Sequence, residues 1–255
     1  MDSLKVLFVG ESWTVVTTHI KGADQFSQSF YDEGIRWVKN ALESGGIQVD
    51  HMPCHEAMYH FPATAEQMRE YDCIIFSDVG SNSILLHPDT TQRYLRTPDR
   101  ISALEEYVRE GGAFLMIGGY MSFSGIEGKA HYKDTLVEKL LPVTMLAGDD
   151  RVEKPGGVFP KKILPEHEIL QGIDGEFPFL LFYNRFREKP GSDVLLRVEE
   201  DPLLVVWDYG KGRSAAFAAD AAPHGAPPEF LEWNCFPRFW QQLICWLSKE
   251  KGGAK

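Results

Sequence analysis

Paired cysteines are what this sequence most conspicuously lacks. Its four cysteines, Cys54, Cys73, Cys235 and Cys245, are scattered with no CxxC spacing, and none falls between Cys73 and Cys235. That favours reduced thiols in a cytoplasmic protein over a disulfide framework. No apolar run approaches the roughly 20 residues of a membrane span. The opening MDSLKVLFVG is too short for a signal-peptide core and has no cleavage-type tail. There is no basic block: acidic residues outnumber basic ones 37 to 26, for a formal charge of −11. Nucleic acid and anionic membrane are therefore poor partners. Internal repeats and low-complexity linkers are also missing. With 44% hydrophobic residues in 255, the chain can bury the core of one large α/β domain over residues 1–250. The Gly- and Lys-containing end, 251–255, is expected to be a disordered tail.

The stretch around which the rest is organised is GGAFLMIGGYMSFS, Gly111 to Ser124. Ala113 to Gly118 is a short apolar run bounded by glycines, which suits a strand buried on both faces of a parallel sheet. Helical spacing of Ile101, Leu104, Tyr107 and Val108 precedes it, and a Gly-rich turn follows. Strands are also read at Lys5–Gly10, Ile47–Met52 and Cys73–Ser77. Phe26, Phe30, Gly34, Trp37, Val38 and Ala41 mark a helix face between the first two. A short helix is placed near 65–70, the 81–97 segment is read as a long polar loop, and Tyr132–Leu141 looks helical. The first half thus alternates β-α-β-α-β-α-β, which predicts a three-layer α/β/α fold on a mostly parallel, flavodoxin-like sheet.

The second half departs from that alternation. A strand is possible at Val143–Leu146, and 151–172 reads as loop. Two β-rich stretches follow, and Leu203–Trp207 with Ser214–Ala219 reads as a hairpin. Phe236, Phe239, Trp240, Leu243, Ile244 and Leu247 define a final amphipathic helix, with Pro237 in its first turn.

Open α/β sheets bind ligands outside the carboxyl ends of their strands. That edge would gather Glu11, Ser12 and Trp13 from the first strand, and Asp78, Gly80 and Ser81 from the third. The organising strand would add Gly119, Tyr120 and Ser122, and the late hairpin Asp220 and His224. Acid, imidazole, hydroxyl and free N–H groups suit a small polar molecule such as a sugar, an amide or an amino acid; the alternative is polar capping of strand ends. His224 and Glu11 are expected to face one cavity floored by the backbone of Gly119 and Tyr120. His19, Lys21 and Asp24 form either a lid or a solvated loop. His51, Cys54, His55, Glu56 and His60 are metal-capable but match no standard zinc spacing. Neither Ser122 nor Ser124 sits in G-x-S-x-G.

Several ordered segments resemble the class I glutamine amidotransferase-like superfamily, and most closely a branch near the trehalose-utilisation proteins. FSDVGSNS (76–83) resembles the oxyanion loop, and GGAFLMIGGYMSFSG (111–125) the strand and elbow. HEILQGI (167–173) resembles the trehalose-utilisation H-P-I-x-x-G-I, with Glu168 in place of Pro. DPLLVVWDYGKGRSAAFAAD (201–220) resembles the hairpin that leads to the catalytic His. The resemblance implies the fold, while its reactive residues are missing. Laying GGYMS over Gly-x-Cys-x-Gly puts Tyr120 at the nucleophile and Ser122 at the last Gly, and a phenol with a pKa near 10 is a poor substitute for a thiolate. The nearest His is His224, and no Glu follows it by two. Two readings stand: an enzyme on a small polar substrate without a cysteine nucleophile, or a binding or scaffold protein that keeps the fold. No glutaminase activity and no cofactor are expected. The expected partner is a small polar molecule, with no nucleic acid, no membrane and room for a homo-oligomer.

Overall fold

The structure is a computed structural model and describes residues 3–223 and 225–249. In chain order the strands are β1 Lys5–Gly10, β2 Ser12–Lys21, β3 Asp24–Glu33, β4 Gln48–Met52, β5 Cys73–Ser77, β6 Ala113–Ile117, β7 Val143–Met145, β8 Arg151–Val158, β9 Lys161–Lys162, β10 Leu180–Asn184, β11 Phe186–Glu188, β12 Asp193–Val198, β13 Asp201–Tyr209 and β14 Gly212–Phe217. The α-helices are α1 Arg36–Ser44, α2 Cys54–His60, α3 Ala65–Met68, α4 Ser81–Leu85, α5 Pro88–Arg93, α6 Arg100–Arg109, α7 Leu136–Leu140, α8 Pro228–Leu231 and α9 Phe236–Leu247.

Eight strands form the main sheet in the order β4-β1-β5-β6-β14-β13-β12-β9. The first five are parallel to their neighbours, and the last three continue antiparallel. β5 and β6 lie inside the parallel part and bury every residue, which is why CIIFS and AFLMI are unbroken apolar runs rather than alternating ones. Burying each of Phe114, Leu115, Met116 and Ile117 contributes about 1.5–3 kcal/mol. α1 and α9 pack together, tied by Gln241 Nε2 donating to the Ala41 carbonyl at 2.7 Å. α6 packs on β6 and β14 and on α3, α4 and α7. The expected α/β architecture and mostly parallel sheet are present; within the main sheet the antiparallel strands are confined to one edge, and the pairs β10-β8, β11-β7 and β2-β3 stand apart as small antiparallel sheets.

The largest departure lies between β1 and α1. The predicted helix face through Phe26 and Phe30 is instead a hairpin, β2 against β3, paired over ten positions from Ser12↔Glu33 to Lys21↔Asp24. Its turn is Gly22–Ala23, with Gly22 at φ +63, as a two-residue hairpin turn with glycine first requires. The i, i+4 spacing of Phe26 and Phe30 fits one face of a strand as well as of a helix, because 4 is a multiple of 2. α1 begins only at Arg36. Smaller corrections share one cause, that short elements carry little periodicity. The 81–97 loop contains α4 and α5, 151–158 is a strand paired with β10, and the helix expected over 132–141 is confined to Leu136–Leu140. α2, Cys54–His60, is a further helix in a segment whose sequence is mixed.

Candidate functional site

β1 and β5 are neighbours, with Gly10 opposite Ser77. Both chains then bend in the same unusual way. Glu11 has φ +47 and Asp78 φ +48, the left-handed region that non-glycine residues avoid at a cost of order 1 kcal/mol or more. Gly10, at φ +109, lets the bend begin, because a Cβ there would collide with the Ser77 carbonyl. Glu11 N donates to that carbonyl at 2.8 Å, and Gly34 N donates to the Glu11 carbonyl at 2.9 Å. These contacts turn two acidic side chains into one cleft at the carboxyl edge of the sheet. Its volume is about 300 Å3, lined by Glu11, Trp13, Asp78, Tyr120, Asp220, Ala222 and Pro223.

Glu11 is only 2% exposed. Burial pushes its carboxyl well above the usual range, and the nearby Asp220 and Asp78 carboxylates push the same way. Against them works one favourable bond, Ser77 Oγ donating to Glu11 Oε1 at 2.8 Å. Gly34 is the residue that makes room: a Cβ there would collide with Glu11 Oε2 and stand 2.7 Å from the Ala222 Cβ. Asp78 Oδ1 accepts from Met121 N at 2.6 Å, and Asp78 N donates to Ser122 Oγ at 3.1 Å. Asp220 Oδ1 accepts from Ala222 N at 2.9 Å. Tyr120 donates its hydroxyl to Glu153 Oε1 at 2.8 Å, lies under the Arg151 guanidinium 5.0 Å from its ring centre, and meets Phe182 edge-on. Burial and Glu153 raise its pKa.

Of the residues read from sequence, Glu11, Trp13, Asp78, Tyr120 and Asp220 line the cleft. Gly80, Ser81, Gly119 and Ser122 do not line it and hold its frame. Gly80 caps α4, and a Cβ there would stand 2.7 Å from Met121 Cε. Ser81 N donates to the Ala130 carbonyl, and the Ser122 hydroxyl is occupied by Asp78 N. Gly119 N donates to Asn184 Oδ1 at 2.9 Å, and Asn184 Nδ2 returns a bond to the Gly119 carbonyl at 3.1 Å. His224, and with it the expected pairing of His224 with Glu11, lies outside the described residues, as does the 251–255 tail. His19, Lys21 and Asp24 sit towards the far end of the β2–β3 hairpin rather than in a loop.

Sequence reasoning missed the frame of the elbow. Asp150, buried, accepts from Ser124 N at 2.9 Å, Gly125 N at 3.0 Å and Asn184 Nδ2 at 2.8 Å. Burial raises its pKa to about 6. Together Asp150 and Asn184 fasten the turn after β6. Within Gly118 to Ser122 only Gly119 has a positive φ, +157, and a Cβ there would stand 2.8 Å from Asp78 Oδ1. The one residue with the backbone of a strained elbow therefore has no room for a side chain, and Tyr120 beside it has ordinary backbone.

The thiol nearest the cleft is Cys54, whose Sγ lies 3.6 Å from the Asp78 carbonyl. Burial raises its pKa, and Asp78 and Glu11 add to the rise, the reverse of what activates a thiolate. The histidine cluster separates: His51 Nε2 bonds to the Gly10 carbonyl at 2.8 Å, while His55 and His60 are exposed beside Glu56. Among the described residues no group of three or more His, Cys, Asp or Glu is placed to hold a metal ion. A larger hollow of about 680 Å3 beside α6 and α7 includes Lys189. That ammonium is already engaged by the carbonyls of Lys139 and Leu141 at 3.2 and 2.9 Å.

Residues 5–249 match the model of the GATase1-like family, described as "Putative glutamine amidotransferase". The chain belongs to this family. Two solved structures share its whole architecture, both cytoplasmic proteins of Salmonella typhimurium. STM3548 is 41% identical with a TM-score of 0.93, covering 96% of this chain and 99% of its own. STM1381 is 44% identical with the same TM-score, covering 96% of this chain and 100% of its own. A ThuA-like protein of Parabacteroides merdae, 13% identical with a TM-score of 0.60, covers 97% of this chain and 91% of its own, and shares the fold. The likeness to trehalose-utilisation proteins is thus structural. No curated protein matches. Among the described residues no helix is long and apolar enough to cross a membrane.

Proposed function

We propose that this family member binds a small, polar, uncharged metabolite, a sugar or an amide, in the Glu11–Asp78–Asp220 cleft and does not hydrolyse glutamine. The observation that carries this reading is the paired left-handed backbone of Glu11 and Asp78 at the ends of adjacent parallel strands. Two strained acidic residues aimed into one cleft are a liability for folding alone, and strain of this kind gathers at functional sites. Glu11, whose ionised form burial and the neighbouring aspartates disfavour, supplies an O–H donor when protonated. Asp78 and Asp220 supply acceptors, and the half-exposed Trp13 ring offers an apolar face. That set complements hydroxyl and amide groups. Were the ligand turned over, the protonated Glu11 would be the group able to deliver a proton.

The elbow without cysteine and the raised Cys54 thiol support binding without glutaminase chemistry. A cytoplasmic setting fits the names of the two Salmonella proteins. A thermal-shift panel of neutral sugars, amides and amino acids tests the reading. A ligand present at about 100 times its dissociation constant stabilises by about 2.7 kcal/mol, roughly 5–10 °C for a chain of this size. A panel in which only cationic or phosphorylated compounds shift the melting temperature would overturn it.

A further inference from the structure

The β2–β3 hairpin forms a two-stranded sheet of its own, so the outer edges of both strands are free of backbone pairing to any other strand. All of β3 and nearly all of β2 is exposed or half-exposed. Val16, Ile20, Phe26 and Phe30 are 65%, 72%, 45% and 57% exposed. The register places Val16 and Ile20 on one face with Thr14, Thr18 and Tyr31, and Val15, Phe26 and Phe30 on the other with Trp13 and His19. A lone two-stranded ribbon is marginal in water. A long ribbon with apolar residues on both faces and two open edges is the feature that folded proteins otherwise cover.

We propose that this arm is the surface through which two copies of the chain associate, the arms laid antiparallel about a two-fold axis. Charge argues for a second copy. The chain carries −11 overall, which sets two copies in mutual repulsion, yet residues 14–20 and 25–31 of the arm contain no Asp, Glu, Lys or Arg. The charges sit at the ends: Lys21 and Asp24 flank the turn, Asp32 and Glu33 the base. Among the described residues Lys21 makes no ion pair. An antiparallel arrangement sets each tip, where Lys21 and Asp24 cancel, beside the partner's acidic base, whereas a parallel one stacks the four carboxylates of the two bases together.

Size argues the same way. Ten residues per strand give a ribbon about 34 Å long and about 10 Å wide, or roughly 340 Å2 per face. A stable interface needs about 800 Å2 per partner, so covering one face, as a bound peptide would, falls short. Two arms that embrace each other and the partner's body cover both faces, roughly 680 Å2, and the contact with the body supplies the remainder. The arm's base carries Trp13, which lines the cleft, so the partner would also border that site.

Sedimentation equilibrium on the full chain tests this. The wild type is expected at twice 28.9 kDa. The double variant Val16→Glu with Ile20→Glu is expected at the single mass, with one cooperative melting transition retained because both side chains are exposed on the protomer. Tyr94→Glu, 90% exposed elsewhere on α5's far end, should leave the dimer intact, and Lys21→Glu should weaken it by about threefold or more at low salt. A monomeric wild type, a double variant that stays dimeric, or a Lys21→Glu dimer that is tighter would each overturn the proposal.

Discussion

Ser77 Oγ donates to Glu11 Oε1 at 2.8 Å, joining the ends of two neighbouring parallel strands through a buried carboxyl group. That bond favours ionisation of Glu11, but burial and the two aspartates outweigh it. The sign of the consequence follows. An unfolded Glu titrates near 4.3, and the folded pKa is raised, so the folded state binds the extra proton. This contribution to stability is fully present below about pH 4.3 and is lost as pH rises toward the folded pKa. Glu11→Gln removes the dependence and keeps the shape. Its melting temperature should gain on the wild type's as pH rises above the unfolded value of about 4.3. Parallel curves for the two proteins would mean that Glu11 is ionised in the fold.

Gly34→Ala should destabilise by about 1–3 kcal/mol, as overpacking a filled site does, because the new methyl meets Glu11 and Ala222. Urea unfolding measures this. A value within about 0.5 kcal/mol of wild type would show that Glu11 has room to turn away.

Asp150→Ala leaves Ser124 N and Gly125 N without their acceptor and takes from Asn184 Nδ2 one of its two, the Gly119 carbonyl remaining. Stranded buried donors cost about 1–3 kcal/mol each when water does not reach them, so a total of about 2–5 kcal/mol is expected. Because the folded pKa is raised to about 6, Asp150 stabilises most in acid, and its contribution declines between about pH 4 and that value. Asp150→Asn should flatten the stability profile there. Denaturant midpoints measured at several pH values check both statements.

How much of this was legible in the sequence depends on whether a signal was local. The buried strands β1, β5 and β6 announce themselves as apolar runs, and the acidic residues just after β1 and β5 were picked out by the rule that ligands sit at carboxyl ends. The hairpin was hidden because its apolar residues are not buried, so the pattern that usually separates inside from outside is absent. Asp150 and Asn184 were invisible for another reason. Their partners lie 25 to 65 positions away, and a single polar residue in an otherwise irregular stretch carries no periodicity. Gly34 showed only as a glycine on an imagined helix, although its need is set by Glu11 across the fold.

Glutamine should release no ammonia above background, and Cys54→Ala should leave ligand binding within about twofold of wild type, since the thiol is raised and does not line the cleft. Ammonia release that a thiol alkylator abolishes would contradict the absence of glutaminase chemistry.

The most direct test of the cleft is isothermal titration of the ligand found by thermal shift into wild type and Asp220→Asn, a replacement that keeps an oxygen for Ala222 N. If Asp220 accepts from a neutral ligand, as argued, the variant should bind at least about tenfold more weakly, or about 1.4 kcal/mol. Binding of equal strength in both proteins would place the ligand elsewhere and contradict the account.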